Sequence, residues 1–403
     1  MDLLSAMPKA ILDDILARLP HKDAAKTIVL SKTWRHTWYS FPIVSVCNKY
    51  FFTHDIRASS SGISGKLDIF INYVTKRLLR LRDQGLAIKE LKLNLIHILH
   101  LRLVSHHLDQ WIQMACESGV EVLELTLSVE VDIRYDLPIC VIEAKSLTKL
   151  ELDYGIRIGQ EFLRHSMKLS SVKMLSLRYV LFTHEGVMEH FISLCPHTEH
   201  LTIRHLYVHN HLRTELPPEI FHVKSLFLHG LQKLKEVDVR GIQELHIDSP
   251  NLENLSYRPL DSYAPFKLNF DSCATLRSLA LFDLKTTYIV DKWFVELFSK
   301  HPFLKSLIIY QCSVSERINI SSTRSTRSSL MLQICYHYAD YDYPNLPELH
   351  VSSIPPSIKH LDVRVYSRTN NEALYGTLLN YLLSSCFPKT ISFGCIGRCA
   401  FIE

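Results

Sequence analysis

The sequence predicts a mixed α/β protein in which a small all-helical unit precedes a curved solenoid of strand-plus-helix or extended repeats. Three observations lead to this prediction. Residues 1 to about 42 show apolar residues at helical spacing without strand signals. From about residue 88 the pattern apolar-x-x-apolar-x-apolar recurs, which fits short strands whose alternate side chains enter a core. Leucine is the most frequent residue, a bias typical of repeat proteins.

Two helices are predicted within the first thirty residues. Pro8 suits the first turn of a helix. Apolar residues then recur at helical spacing until Pro20 ends the pattern, and they are Ile11, Leu12, Ile15, Leu16 and Leu19. A second helix is predicted from His21 to about Leu30, where Val29 belongs to the apolar set.

A third helix is predicted between Ser31 and Pro42. The Ser31 hydroxyl can cap its first turn. Trp34 and Trp38 lie four residues apart, so they share one face. Three helices in about 40 residues bury little apolar surface alone, so part of this surface is expected to pack on the following domain, on another chain, or on both.

The repeat pattern sets the organisation of the remaining chain. Its central leucines are separated mostly by about 25 to 32 residues, close to the period of leucine-rich repeats, and they are Leu91, Leu123, Leu150, Leu175, Leu201, Leu226, Leu279, Leu307 and Leu361. Between residues 226 and 255 the pattern returns too soon for a helix to intervene. We therefore expect alternating strands on two sides of the coil there.

Helical patterns and polar segments separate the predicted strands. Helices are expected at about 66–83, 103–117, 184–194, 289–299 and 371–385. Ser59 to Gly62 reads as a flexible connector, and residues 315–329 read as a mobile basic loop. The predicted domains are therefore 1–42 (helical), 43–87 (connector and capping helix) and 88–403 (repeats).

Composition excludes several classes of function. The net charge is +4, from 45 basic and 41 acidic residues, and no basic stripe typical of nucleic-acid binding stands out. No secretory signal or membrane span is recognised, so we expect the protein in the cytoplasm and/or nucleus. With only 12 glycines and no glycine-rich phosphate motif, no cofactor is expected.

Cysteine and histidine offer a weak case for catalysis or metal binding. Cys195 precedes His197 closely enough to suggest a thiol-histidine pair, but a small buried residue at the end of a helix explains Cys195 better. Cys395 and Cys399 have metal-ligand spacing without a second ligand pair nearby. We predict neither an enzyme nor a metal site.

The first forty residues resemble the F-box of plant F-box/leucine-rich-repeat proteins. The resemblance rests on Leu-Leu-Ser-Ala-Met-Pro-Lys-Ala-Ile-Leu at residues 3–12, a second Leu-Pro at 19–20, and Leu-Ser-Lys-Thr-Trp-Arg at 30–35 followed by Trp38. The phrase Ile-Asp-Ser-Pro-Asn-Leu at 247–252 also fits the family. One departure is Met7, where this family usually has leucine, a volume-tolerant change.

The resemblance implies a substrate-recognition subunit of a Skp-cullin-F-box ubiquitin ligase. Its F-box would bind a Skp-type adaptor and through it a cullin, while its repeats would hold an unknown target protein. Carried over by position, the adaptor-binding residues are Pro8, Leu12, Ile15, Leu16, Leu19, Pro20, Leu30, Trp34 and Trp38.

Other interpretations stay open from the residues alone. A leucine-rich-repeat scaffold could bind a partner without any ligase role. A small-molecule co-receptor would need a polar pocket, yet the residues between the strand leucines, such as Lys92, Glu124, Glu151 and Ser176, are mixed in type without convergent charge. Trp38, and less so Trp34, could instead fill the junction between the helices and the first repeat.

Overall fold

A computed structural model describes residues 7–50, 60–96, 101–127, 134–165, 169–210, 219–261, 264–282, 300–301, 303–310, 327–335, 358–366 and 390–396. The chain divides into two compact units. The first contains residues 1–198 with 206–221, and the second contains residues 199–205 with 222–403. The predicted domain boundaries at residues 42 and 87 lie inside the first unit and stay a prediction.

The N-terminal residues form the three predicted helices. They are α1 (Lys9–Arg18), α2 (His21–Lys26) and α3 (Lys32–Ser40). Ser31 Oγ accepts a hydrogen bond from the Trp34 amide at 3.2 Å, which confirms the predicted cap. The second helix is shorter than predicted, because a 3-10 turn at Thr27–Val29 replaces its last turn.

The first unit continues with a parallel sheet whose strands are separated by helices or turns. In chain order its elements are β1 (Ile43–Cys47), α4 (Ser60–Asp83), β2 (Glu90–Leu95), α5 (Leu101–Glu117), β3 (Val122–Leu127), β4 (Tyr135–Asp136), α6 (Cys140–Glu143), β5 (Lys149–Asp153), β6 (Ile156–Ile158), β7 (Met174–Arg178), β8 (Leu181–Phe182) and α7 (Glu185–Ser193). The main sheet runs β1-β2-β3-β5-β7. The pattern leucines meet in register on adjacent strands, as in Leu91↔Leu123 and Leu150↔Leu175.

The first unit also has a second, shorter sheet that the sequence pattern did not reveal. It runs β4-β6-β8-β10-β11, where β10 is Tyr207–Asn210 and β11 is Glu219–His222. The predicted connector also begins with a strand, since β1 pairs in parallel with β2 (Val44↔Leu91). The repeat sheet therefore starts directly after the helices, earlier than predicted.

The described residues of the second unit also form two sheets of parallel strands. Its main sheet contains β9 (His200–Arg204), β13 (Glu236–Arg240), β15 (Asn254–Arg258), β17 (Ser278–Phe282), β18 (Ser306–Tyr310), β19 (Arg327–Cys335), β20 (Ile358–Tyr366) and β21 (Thr390–Ile396). A second sheet contains β12 (Ser225–Leu228), β14 (Glu244–Ile247) and β16 (Lys267–Asn269). Strands of the two sheets alternate between residues 225 and 258, which confirms the prediction for that stretch.

Two predictions for the second unit need correction. Leu226 lies in β12 of the second sheet, so Val237 rather than Leu226 pairs with Leu201 in the main sheet. The last residues of the predicted basic loop, 327–329, belong to strand β19, while residues 315–326 lie outside the described part. The predicted helices at 289–299 and 371–385 also lie outside it. The class itself, N-terminal helices followed by parallel sheets, is confirmed.

Candidate functional site

Four of the nine predicted adaptor-binding residues form the interior of the N-terminal helices. Leu12 and Leu16 are one turn apart on α1, and each is 1% exposed. Trp34 and Trp38 are one turn apart on α3 and are 3% and 5% exposed. All four pack in one cluster with Phe41. A second polypeptide could not contact them without opening the helices, so they support a surface rather than form one.

Several apolar side chains of the same helices are exposed. Val29 is 80% exposed, Leu30 58% and Ile11 47%. Pro8 and Pro20 are exposed as well. We call Pro8, Ile11, Pro20, Val29 and Leu30 the apolar surface set. Three of its members, the two prolines and Leu30, were predicted as adaptor-binding residues.

Ile15 and Leu19 connect the interior with the surface. Both are half-buried and pack against the buried cluster. Ile15 is one turn after Ile11 on α1, so the two side chains share a face. The nine predicted residues therefore comprise four interior, two half-buried and three exposed side chains.

Ile11 and Val29 were not assigned to the adaptor surface, although the sequence holds a signal for Ile11. Adjacent residues on a helix are separated by about 100°. Of the apolar neighbours Ile11 and Leu12, one must therefore point away when the other enters the core. The structure buries Leu12 and exposes Ile11.

Trp38 lies at the junction between the helices and α4. Its ring stacks on Phe41 at 6.2 Å between centroids and meets the edge of His21 at 5.3 Å. The Arg77 guanidinium of α4 lies 4.7 Å from the centroid of the Trp38 ring. Trp38 thus fills a junction between the N-terminal helices and α4, in the manner of the alternative interpretation.

Arg77 holds the end of α3. Its Nη1 donates to the Tyr39 carbonyl at 3.0 Å, and its Nη2 donates to the Phe41 carbonyl at 2.7 Å. A cation suits this position because the last carbonyls of a helix carry partial negative charge. Burial lowers the pKa of Arg77 to about 10, so the side chain stays charged at neutral pH.

His21 is a second contact between the helices and α4. A hydrogen bond of 2.7 Å joins its Nε2 to the Tyr73 hydroxyl. Burial, and then the positive charge of Arg77, lower the pKa of His21 to about 4. The imidazole is therefore neutral at physiological pH.

A cavity of about 440 Å³ separates α1 and α2 from the first two strands of the sheet. Its walls are partly apolar, from Leu19, Trp38 and Ile43, and partly charged, from Glu90 and Lys92. The two charged side chains form an ion pair of 2.8 Å. The N-terminal helices α1 and α2 are therefore linked to the sheet mainly through α4 and through residues 41–43, rather than by packing along their whole length.

Cys195 does not form a catalytic pair with His197. Cys195 is fully buried, and burial raises the pKa of its thiol to about 12. The exposed His197 instead bonds through Nδ1 to the Ser170 carbonyl at 2.8 Å. Cys195 therefore acts as a small apolar core residue, as expected for the end of a helix.

Ion pairs connect neighbouring strands on the polar face of the main sheet in the first unit. Lys149 of β5 pairs with Glu124 of β3 and, at 3.1 Å, with Glu151 of its own strand. Arg178 of β7 pairs with Glu151 and, at 3.5 Å, with Asp153. The sequence suggested no convergent charge here, because it does not show which residues meet across strands. The face offers alternating charges rather than one sign.

Within the described ranges, no group of three or more His, Cys, Asp or Glu side chains is arranged to hold a metal ion. Among the helices of those ranges, none combines the length and apolar character needed to cross a membrane.

Comparison with known families agrees with this architecture. The family model described as "At1g61320/AtMIF1, LRR domain" matches residues 81–375, about three quarters of the chain. The F-box domain model matches residues 4–45, which contain α1, α2 and α3.

Similar proteins come from Arabidopsis thaliana. An F-box/FBD/LRR-repeat protein is 26% identical over 426 residues, covering 97% of this chain and 81% of the relative. A protein named as an F-box protein is 30% identical over 257 residues, covering 64% of this chain and 51% of the relative. One named as an F-box/LRR-repeat protein is 28% identical over 275 residues, covering 67% and 56%. The matches to these last two thus span little more than half of each relative. Together with the helices and parallel sheets described above, the match over residues 81–375 shows that the chain belongs to this leucine-rich-repeat family and, with its N-terminal F-box, is a plant-type F-box/leucine-rich-repeat protein.

Proposed function

We propose that the chain is the substrate-recognition subunit of a Skp-cullin-F-box ubiquitin ligase. The F-box binds a Skp-type adaptor, the adaptor links it to a cullin, and the repeats bind the target protein. The chain itself carries out no catalysis. We propose that it acts in the cytoplasm and/or nucleus.

The observation that carries this proposal is the apolar surface set on the F-box. Val29, Leu30 and Ile11 expose large apolar side chains beside a well-packed helical core. Val29 and Leu30 are adjacent in the chain, and contiguous exposed apolar groups mark protein interaction sites. Full burial of one such side chain contributes about 1.5–3 kcal/mol, so a preformed surface with several of them can offset the cost of association.

The first test removes this surface without touching the core. Ile11→Gln, Val29→Gln and Leu30→Gln are combined in the full chain. We expect adaptor affinity to fall by about 100-fold, because about 1 kcal/mol of apolar burial is lost at each position. Calorimetry with a purified Skp-type adaptor measures the affinity, and circular dichroism checks the fold.

Two control variants distinguish loss of the adaptor-binding surface from loss of folding stability. Ile69→Gln changes an exposed isoleucine of α4 and should leave adaptor affinity unchanged. Leu12→Ala changes a core residue and should lower the free energy of unfolding by about 2–5 kcal/mol. Undiminished binding by the folded triple variant would refute the surface assignment. If the unaltered chain captured no adaptor, the ligase role would fail and a repeat scaffold would be the remaining interpretation.

A further inference from the structure

Two cysteine side chains meet where helix α5 packs against helix α6 in the first unit. Cys116 lies in the last turn of α5, and Cys140 is the first residue of α6. A side-chain hydrogen bond joins the two thiols. Both residues are half-buried, so they are partly accessible from solvent. We call Cys116 and Cys140 the thiol pair.

Contacts on both sides hold the elements that carry the thiol pair. The hydroxyl of Tyr135, in β4, donates a hydrogen bond of 2.7 Å to Asp109 Oδ1 on α5. Val141 and Ile142, which follow Cys140 in α6, are buried in the core. The segment that contains β4 and α6 is therefore anchored both to α5 and to the interior, and this packing keeps the two cysteines next to each other.

The hydrogen bond between the two thiols makes them chemically unequal. A thiol that donates to its neighbour stabilises the neighbour's thiolate, and this hydrogen bond from Cys116 lowers the pKa of Cys140. Burial and three nearby carboxylates, those of Glu143, Asp109 and Glu117, oppose the effect without reversing it. The same hydrogen bond, and then burial, raise the pKa of Cys116. Cys140 is thus the nucleophile of the pair, and Cys116 is its thiol partner.

We propose that the thiol pair is an oxidation site, at which a hydroperoxide converts Cys116 and Cys140 into a reversible disulfide between α5 and α6. The Cys140 thiolate attacks one peroxide oxygen, and the O–O bond breaks to give a sulfenic acid at Cys140 and hydroxide, which the proton released by Cys140 converts to water. The Cys116 sulfur then attacks the Cys140 sulfur, the S–O bond breaks, and the departing hydroxide leaves as water with the Cys116 proton. The two thiols lose two electrons, which reduce the peroxide. Thiol–disulfide exchange with an external thiol restores the reduced pair.

The disulfide would close a loop of chain that contains β3 and β4. A covalent link of this kind removes conformational freedom from states in which the loop is open. Local opening that separates α5 from α6 therefore becomes rarer after oxidation. The inference goes beyond the proposed function, because the reaction requires neither an adaptor nor a target protein.

Peptide mapping of the full chain tests the proposal. The reduced chain is treated with hydrogen peroxide, remaining thiols are blocked with iodoacetamide, and trypsin releases Cys116 within residues 103–134 and Cys140 within residues 135–145. We expect mass spectrometry to find these two peptides joined, with the loss of two hydrogen atoms, and separate again after treatment with dithiothreitol. The joined fraction should be independent of protein concentration, because the bond forms within one chain.

Single substitutions test the order of the two steps. In Cys116→Ser, the serine hydroxyl can still donate to Cys140, and dimedone should trap the sulfenic acid at Cys140. In Cys140→Ser, dimedone should label Cys116 about ten-fold less, because its raised pKa leaves little thiolate. Cys47→Ser is the matched control, since Cys47 is a half-buried cysteine outside the pair. It should leave the link between the two peptides unchanged.

Amide hydrogen exchange measures the structural effect of the bond. Oxidation should slow exchange in α5 and α6 about ten-fold or more, and Cys140→Ser should abolish this change. Four outcomes would overturn the proposal: the two peptides stay unlinked, Cys116 or Cys140 links to a different cysteine, the link appears only in urea, or exchange in α5 and α6 is the same before and after oxidation.

Discussion

His21 shows how a single residue makes the F-box sensitive to acid. Its imidazole is buried between Trp38 and Tyr73, and Arg77 adds positive charge nearby. Both conditions favour the neutral form. The pKa is about 4 in the folded chain against 6.5 for an unperturbed histidine. The unfolded chain therefore binds a proton between these pH values that the folded chain does not bind.

Acid destabilises the folded chain through His21, because the lowered pKa disfavours protonation of the folded state. The stabilisation from neutral His21 is complete above about pH 6.5 and is lost as the pH falls toward 4. At pH 5 the loss is about 2 kcal/mol relative to pH 8. We expect His21→Gln to reduce the difference in unfolding free energy between pH 8 and pH 5 by about this amount. Urea titrations at both pH values measure it.

His36→Gln is the matched control for this titration, because His36 is an exposed histidine on α3. It should leave the pH dependence as it is in the unaltered chain. A His21→Gln variant with the same pH dependence as the unaltered chain would show that the buried imidazole does not titrate as described.

At the scale of elements, left-handed residues recur where main-sheet strands end. Tyr154 follows β5 with φ 52°, Tyr179 follows β7 with φ 55°, and His205 follows β9 with φ 47°. Gly241 follows β13 with φ 79°. Side chains other than glycine seldom adopt this region, and here each such residue leads the chain from a main-sheet strand into the turn that follows it.

Gly241 is the position where this turn requires glycine. A Cβ atom there would lie 2.4 Å from His205 Nδ1, in addition to the cost of the positive φ. Gly241→Ala should therefore lower the free energy of unfolding by about 2–3 kcal/mol. Gly230 has φ 75° with no atom within 4 Å of the added Cβ, so Gly230→Ala should cost only about 1 kcal/mol. Denaturant titration measures the free energy of unfolding of both variants. If both variants lost the same stability, the contact with His205 would add nothing to the cost of Gly241→Ala.

The strands show what periodicity can and cannot reveal. The recurring leucines predicted the long strands, because alternate side chains enter the core at fixed spacing. Strands of two residues, such as Tyr135–Asp136 and Leu181–Phe182, have no period to detect. The pattern also cannot tell which sheet a strand joins, since Leu226 and Val237 both point into a core from different sheets.

For the predicted adaptor surface, the sequence also leaves the direction of each side chain undetermined. The resemblance supplied positions in the chain, while the direction of each side chain depends on how the helices pack. Trp34 and Leu12 were therefore grouped with Leu30, although the first two are buried and the last is exposed. Neighbours across the main sheet of the second unit could not be foreseen for a similar reason, because register across β9, β13 and β15 places Arg204, Arg240 and Arg258 side by side although they are distant in sequence.

Considered as part of the whole molecule, the F-box is not self-sufficient. Arg77 and Tyr73 of α4 contact Trp38 and His21, and the Arg80 guanidinium lies 4.0 Å from the ring centroid of Tyr39. A unit of about 40 residues buries too little surface to be stable by itself. The contacts from α4 therefore supply part of the stability of the adaptor-binding unit.

This dependence predicts how N-terminal fragments behave. A fragment of residues 1–50 contains α1, α2 and α3 but lacks Tyr73, Arg77 and Arg80, whereas residues 1–96 include α4 and β2. The shorter fragment should be largely unfolded at 25 °C, and the longer one should show a cooperative thermal transition. Far-UV circular dichroism on heating distinguishes them. In the longer fragment Arg77→Met should lower the melting temperature, because the Tyr39 and Phe41 carbonyls lose their donors. A cooperative transition in the shorter fragment at the melting temperature of the longer one would show that the F-box folds without α4.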